Sequence, residues 1–206
     1  MRPILFRVLV SAILLTCVST VGASPLIDEL ARPTMRSQLQ FRGTGDDFFV
    51  VDVPGPAVAR ISHRGASNFI AVAFDRTGVP SLLVNTIGGY DGTAALGFDG
   101  SVPVEIEINA DGAWELSIAP LTQATPGASR NAGRGDAVLA FVNVSGRALS
   151  VTHGGAANFI VLAWGSDPWP DLLVNHIGPY QGRVRLPPRT LFIELKADGA
   201  WTIDVE

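Results

Sequence analysis

An internal duplication constrains this chain more than any other feature. Residues 61–96 and 151–186 align at a constant offset of 90, with 17 identities in 36 positions. After a three-residue deletion the match resumes, with IEINADGAWELSI at 106–118 against IELKADGAWTIDV at 193–205. Self-similarity at a fixed period is the signature of repeat architectures, in which each copy folds as one unit. The chain is therefore predicted to contain two copies of one structural unit.

The domain boundaries follow from this alignment. The first repeat is predicted over 43–120 and the second over 133–206. Between them, residues 121–132 have the Pro, Gly, Ala, Ser and Thr composition of a linker. Residues 24–42 form an N-terminal segment that precedes the first repeat.

Residues 1–23 have the pattern of an export signal. Arg2 and Arg7 give a charged start, an apolar stretch follows, and Val21-Gly22-Ala23 supplies small residues at a cleavage site. A transmembrane anchor would need about 20 continuous apolar residues, and this stretch is shorter and interrupted. Lipid attachment at Cys17 is the minor alternative. We therefore expect a secreted, periplasmic or cell-surface protein, cleaved near Ala23.

Composition narrows the classes of protein and of partner. Hydrophobic residues make up 47% of the chain and charged residues 17%, which excludes intrinsic disorder. The formal net charge is −4 and the single lysine is Lys196, so no basic footprint for nucleic acid is present. After Ala23 the chain has no cysteine, so disulfides cannot stabilise it. We also expect no membrane span in the mature chain.

Each repeat is predicted to be all-β. Its apolar runs are short, rich in Val, Ile and Phe, and separated by turn residues, which indicates an antiparallel sandwich or barrel. Asp111-Gly112 and Asp198-Gly199 lie between strand-like runs and favour hairpin turns. The predicted strands are 47–53, 57–63, 68–75, 81–87, 93–98, 102–109 and 113–119, then 137–143, 147–153, 158–165, 171–177, 182–186, 190–196 and 200–205.

Two equivalent strands, 69–74 and 159–164, are apolar on both faces. A continuous apolar strand is usually covered on both sides, whereas a sandwich covers only one. The second face must therefore pack against the sister repeat, the N-terminal segment or a second protomer. This pattern makes a homo-oligomer through these strands one of the expectations.

Several polar residues recur at equivalent positions. A residue kept in both copies is explained most simply by the shared fold, so these residues are interpreted as structural. The alternative is a small polar pocket in each copy. The residues are His63 and His153, Asn68 and Asn158, Asn85 and Asn175, and Tyr90 and Tyr180.

The second repeat also differs from the first in ways that suggest a binding surface. Trp169 lies between two prolines in a loop, where it could contact a flat apolar surface such as a sugar face. His176 replaces Thr86, and Arg183 replaces Thr93. Together with Tyr180 and Tyr90, these residues are the candidate binding residues.

The sequence contains little that indicates an enzyme. It has no HExxH motif, no GxSxG elbow and no Walker A loop, so no catalytic residue is assigned. Carboxylates such as Glu105 and Glu107 could be brought together by the fold, but acids on an alternating strand are typical of a solvated face. No metal site is predicted. Calcium is conceivable at Asp46, Asp52, Asp91 and Asp99, but no known spacing supports it.

The pattern HxGxxNF, LLVNxIGxYxG and ADGAW resembles a repeat domain of secreted or lipid-anchored bacterial proteins, and the resemblance covers nearly the whole mature chain. Strand count and copy length are also similar to the pre-peptidase C-terminal β-sandwich modules of secreted bacterial enzymes. These resemblances imply two tandem jelly-roll-like antiparallel β-sandwich repeats and an accessory, polymer-contacting role.

The sequence thus predicts an exported, non-catalytic protein that binds a carbohydrate or protein of the cell envelope, without a cofactor. Two alternatives stay open. One is a secreted enzyme with a site between the repeats. The other is a structural envelope protein that self-associates.

Overall fold

The computed structural model describes residues 35, 37–141, 144 and 146–206. The predicted signal peptide, including Cys17, lies outside these residues, as does most of the N-terminal segment. The described chain is all-β, as predicted: its sheets are antiparallel apart from one short parallel strand, and it has one 3₁₀ turn at Leu121–Gln123. In this part of the chain, no helix has the length and apolar character needed to span a membrane.

The first half of the chain forms two four-stranded antiparallel sheets. Their strand orders are β1-β8-β3-β6 and β2-β7-β4-β5. The strands are β1 (Leu39–Thr44), β2 (Asp47–Val50), β3 (Ala57–Arg64), β4 (Asn68–Asp75), β5 (Pro80–Ile87), β6 (Tyr90–Leu96), β7 (Pro103–Ala110) and β8 (Ala113–Pro120).

The second half has the orders β10-β17-β12-β15 and β14-β13-β16-β11-β9. Without the short parallel strand β9, these orders are the same as those of the first half. The strands are β9 (Thr125–Pro126), β10 (Arg130–Arg134), β11 (Ala137–Ala140), β12 (Ala148–His153), β13 (Asn158–Trp164), β14 (Asp171–Ile177), β15 (Tyr180–Arg185), β16 (Phe192–Ala197) and β17 (Ala200–Val205).

Each half encloses its own apolar core between its two sheets. In the first half, Ile61 and Leu116 from one sheet and Phe69 and Ile106 from the other belong to one buried cluster. The second half has an equivalent cluster. Successive side chains on a strand point to opposite faces, so alternate residues enter the core. In β4 these are Phe69, Ala71 and Ala73.

The structure contains three strands that the sequence prediction left out: β1 in the first half, and β9 and β10 in the second. Strand β1 begins at Leu39, within the predicted segment 24–42, and β10 begins at Arg130, within the predicted linker 121–132. Both strands pair with the last strand of their half, β8 or β17. Each of these strands begins before the predicted start of its repeat, at 43 or 133. The β10 sequence RNAGR was missed because it has no large apolar side chain and derives its order from pairing.

The outer faces of the two equivalent apolar strands have different neighbours. In β13, the Trp164 ring packs edge-on against Phe98 of the first half, with centroids 5.4 Å apart. Phe98 also packs against Phe192, at 5.2 Å. On β4, Ile70 and Val72 instead line an open cavity of about 430 Å³. The second half thus packs on the first, whereas the first half leaves its equivalent face open.

A glycine and a tryptophan face each other across the first and last strands of both halves. Gly43 is opposite Trp114, and Gly133 is opposite Trp201. Both indoles are buried, and their Nε1–H groups donate to the Gly45 and Gly135 carbonyls at 2.9 and 2.8 Å. The ring occupies the space that a Cβ on the glycine would need. The large residue is accommodated only because its neighbour has no side chain.

Gly133→Ala should therefore destabilise the protein by about 1–3 kcal/mol, the usual cost of overpacking. Denaturant unfolding, followed by tryptophan fluorescence, measures this effect. Gly154→Ala is the matched control, because the nearest atom to its Cβ would be the Ala200 carbonyl oxygen at an ordinary 3.8 Å. Equal losses in both variants would contradict the role given to Trp201.

Candidate functional site

The first repeated histidine, His63, is fully buried and contacts two turns. Its Nδ1 lies 2.8 Å from the carbonyl oxygen of Gly88, and its Nε2 lies 3.3 Å from Oδ1 of Asp111. The imidazole stacks on Phe69, with centroids 4.3 Å apart and an interplanar angle of 6°. Because the ring is enclosed on these sides, a ligand from solvent could reach it only by displacing them.

His153 repeats this arrangement in the second half. Its Nδ1 is 3.0 Å from the Gly178 carbonyl oxygen, its Nε2 is 3.2 Å from Asp198, and it stacks on Phe159 at 4.3 Å and 6°. Gly88 and Gly178 have φ values of +89° and +90°, which favour glycine. The contacts around both histidines are all within one repeat.

Each histidine has an aspartate beside it, Asp111 or Asp198, that binds a neighbouring turn. The Oδ2 of Asp111 accepts the backbone N–H groups of Ala66 and Ser67, both at 2.9 Å, and these bonds lower its pKa. For Asp198, burial raises the pKa, but the N–H groups of Ala156 and Ala157 outweigh it and the net shift is downward. Each ionised carboxylate thus fixes a turn beside its histidine.

These lowered pKa values predict sensitivity to acid. A carboxyl group whose pKa is lower in the folded than in the unfolded state stabilises the fold above its unfolded pKa, about 3.9 for Asp. That contribution is lost as the pH falls through the folded value. At pH values below about 4, the melting temperature should therefore decrease. The decrease should be less steep in the double variant Asp111→Asn/Asp198→Asn.

Melting curves between neutral pH and pH 3 test this expectation. The control is Asp167→Asn, an exposed residue of the loop before β14. The interpretation is wrong if the double variant and the control have the same acid dependence.

A groove of about 1030 Å³ lies between the two halves. It brings together three of the recurring polar residues, Tyr90, Asn85 and Asn158. Strand β5 forms one wall, and Asp136, Ile160 and Lys196 belong to the opposite side. Asn68, Asn175 and Tyr180, the equivalents of these three residues, are not among its lining.

A cluster of charged residues in this groove joins the two halves. The Tyr90 hydroxyl donates to Oδ2 of Asp136 at 2.9 Å. The Lys196 Nζ lies 3.3 Å from Glu194 and 3.6 Å from Asp136, and it donates to the Leu83 carbonyl at 3.1 Å. Burial, and then the charge of Asp136, raise the pKa of Tyr90, which keeps its hydroxyl a donor. Lys196, the only lysine of the chain, thus pairs with two carboxylates and donates a hydrogen bond to the edge strand β5.

The carboxylate oxygens of this cluster are occupied by the protein itself. Asp136 also accepts the Ala197 N–H through Oδ1 at 2.8 Å. Glu194 accepts the Ala95 N–H at 3.2 Å and the Trp164 indole N–H at 3.0 Å. A general acid or base needs an oxygen directed at its substrate. These contacts therefore favour a structural role in holding the two halves together.

Lys196→Met should destabilise the protein by about 2–4 kcal/mol, because it leaves Glu194 buried without its cation. Arg183→Met is the matched control. Arg183 pairs with Glu206 on the surface, where such pairs contribute at most about 1 kcal/mol. Urea unfolding of both variants measures the difference, and equal stability losses would contradict the importance of the buried pair.

The candidate binding residues of the second half lie elsewhere. Trp169 is 78% exposed, in the loop that leads into β14. His176 of β14 and Tyr180 of β15 are neighbours, with ring centroids 5.5 Å apart. Arg183 is exposed on β15 and donates to Glu206. The structure therefore separates these residues from Tyr90 and from the groove.

Sequence reasoning missed a repeated set of exposed apolar side chains. Leu82 and Ile87 of β5, and Leu172 and Ile177 of β14, are all more than half exposed. They are identical between the repeats, and an identity at an exposed position is not explained by the core. The signal was present in LLVNxI, but an apolar residue within a strand is by default assigned to the interior.

Among the described residues, no group of three or more His, Cys, Asp or Glu side chains is placed to hold a metal ion. Asp46, Asp52, Asp91 and Asp99, which were considered for calcium, form no such group.

Comparison with known proteins gives little further information. No family model matches the chain, and no curated protein matches it. Among solved structures, the regulatory domain of Toxoplasma gondii PKA with cAMP matches with a TM-score of 0.23 and 8% identity. That alignment covers 81% of this chain and 76% of the other. A likeness this weak supports no conclusion about fold or ligand.

Proposed function

We propose that this protein is an exported, non-catalytic binding module built from two tandem jelly-roll repeats. The strand orders support the architecture, because the first and last strands of each half are neighbours in one sheet and the second and seventh are neighbours in the other. The N-terminal signal pattern supports export. The chain would act at the cell envelope or outside the cell.

The observation that carries the binding role is the exposed set repeated on β5 and β14. Leu172 is paired with Leu162, Asn175 with Ile160 and Ile177 with Asn158, so all three β14 residues share the outer face of their sheet. On β5, Leu82, Asn85 and Ile87 are placed equivalently. Exposed apolar groups are unfavourable while they face water, and together with an amide they are typical of a contact surface.

The β14 surface, defined as Trp169, Leu172, Asn175 and Ile177, differs from the β5 set by its aromatic residue: Trp169 is 78% exposed where the first repeat has Val79. It combines an exposed indole, two aliphatic side chains and an amide that can both donate and accept. This combination suits a sugar ring, which has an apolar face and hydroxyl groups at its rim. We therefore propose a polysaccharide of the cell envelope as the ligand.

A protein partner is the second candidate, because β14 is an edge strand. It pairs only with β13 in its sheet, so its other side offers unpaired backbone groups. An extended segment of another protein can add to such an edge, with affinity supplied by main-chain hydrogen bonds.

An enzyme with its site between the repeats is the alternative that the contacts favour least. The acidic groups that line the groove are Asp91, Asp136 and Asp198. Asp136 and Asp198 accept hydrogen bonds from the protein, and Asp91 pairs with Arg60. An activity that depended on one of these carboxylates would contradict the non-catalytic proposal.

Trp169→Ala should weaken binding to an insoluble envelope polysaccharide by about 1–3 kcal/mol, the size of an aromatic stacking contact. Pull-down of the purified protein on cell-wall and polysaccharide matrices measures it. Val79→Ala is the matched control, because Val79 is exposed at the equivalent position of the first repeat. Equal retention of the wild type and of Trp169→Ala would contradict the proposed surface.

The same assay separates the ligand classes. Retention that survives protease treatment of the matrix supports the polysaccharide, and retention abolished by it indicates a protein partner. Retention that requires calcium would add a metal that is not part of the proposal.

A further inference from the structure

The two halves differ sharply in the exposure of one face. Val138 of β11 is 1% exposed, whereas Phe48 at the equivalent position of β2 is 69% exposed. Val50 of β2 is likewise 76% exposed, whereas its equivalent, Ala140, is partly buried. The outer face of β2-β7-β4-β5, here called the open face, therefore lacks the cover that its counterpart in the second half has.

Part of the cover of the second half is the first sheet of the first half. Val138 lies in one buried cluster with Val58 of β3, and Ala95 of β6 packs against that cluster. Thr93 of β6 donates its N–H to the Asp136 carbonyl at 3.0 Å and accepts the Val138 N–H at 2.8 Å. Within the chain, the outer face of the first sheet of the first half thus already packs on the outer face of the second sheet of the second half.

The charges of this contact have a different arrangement on the open face. Within the chain, Asp136 and Glu194 are paired with Lys196. Their equivalents on the open face are Asp46 and Glu107, and the equivalent of Lys196 is Asn109. Asp46, Glu107 and Asn109 line the open cavity with Phe48, Ile70 and Val72. The open face therefore has both acids but no lysine.

The missing positive charge is found on the first sheet of the second half. The main-chain N–H groups of Thr93 and Ala95 contact the Asp136 carbonyl and the Glu194 carboxylate, and the equivalent residues of the second half are Arg183 and Arg185. Both arginines are exposed. If the internal contact were repeated between two chains, it would place Arg185 at the Glu107 carboxylate and Arg183 at the main chain of Asp46.

Side-chain size changes in a compensating way at the same contact. Val58 and Val138 belong to one cluster in the internal contact. Their equivalents are Ala148 on the first sheet of the second half and Phe48 on the open face. A larger residue on one surface thus faces a smaller one on the other, which keeps the packed volume similar.

We propose that the open face binds a second copy of this chain, head to tail, by repeating the internal contact between molecules. The β10-β17-β12-β15 sheet of one chain docks on the β2-β7-β4-β5 sheet of the next. Phe48 and Val50 become buried, and Arg185 lies against Glu107. Such a contact is heterologous, so it produces rings if the rotation closes and open chains if it does not.

Sedimentation of the full chain over a wide concentration range tests the proposal. The mass should rise with concentration beyond a dimer, and the association should weaken with added salt. Arg185→Glu should weaken it roughly ten-fold or more, because it places like charges together. Glu107→Arg should do the same, and the double variant Arg185→Glu/Glu107→Arg should recover association.

Arg76→Glu makes the same charge change on an exposed turn of the first half and should leave association intact. Trp169→Ala should also leave it intact, which separates this proposal from the binding function. A monomer at every concentration would overturn the proposal. A dimer lost in Phe48→Ser but unchanged in Arg185→Glu would also overturn it, since that result indicates two open faces packed on each other.

Discussion

The contact between the two halves is the interaction on which the rest of this structure depends. Each half is small, and a core of this size is marginal when no disulfide supports it. The contact adds a third apolar cluster, built around Val58, Ala124 and Val138, to the two cores. It also neutralises the buried Glu194 through Lys196. The contact thus adds burial beyond the two separate cores.

The sequence was sufficient to predict the β class and most strands, because alternation and turn residues are local signals. It was insufficient at β10, where RNAGR is ordered by pairing with β17 and by the indole of Trp201 over Gly133. The internal packing of β13 was one of three alternatives at the sequence level. Which apolar face is covered depends on the relative placement of the halves, and no local pattern encodes that.

The residues of the candidate site show the same difference between local sequence signals and contacts made in the folded chain. Recurrence drew attention to His63 and His153, but their contacts are with turns 25 residues away. The joining role of Lys196 was not predicted. Its partner Glu194 looks like an acid on a solvated strand, as Glu107 does, and only the arrival of the other half buries it. The same residue type at equivalent positions is therefore buried and paired where a distant segment covers it, and solvated where none does.

Comparison of duplicated residues therefore requires burial as well as identity. Identical buried residues, such as Phe69 and Phe159, are explained by the fold. Identical exposed residues, such as Ile87 and Ile177, are not, because an exposed position is free to change unless something contacts it. Residues that differ are informative in pairs: Asn109 for Lys196 and Arg185 for Ala95 move a positive charge from one side of a contact to the other. A change on one surface alone could be drift, whereas opposite changes on two surfaces preserve the charge balance of a contact between them.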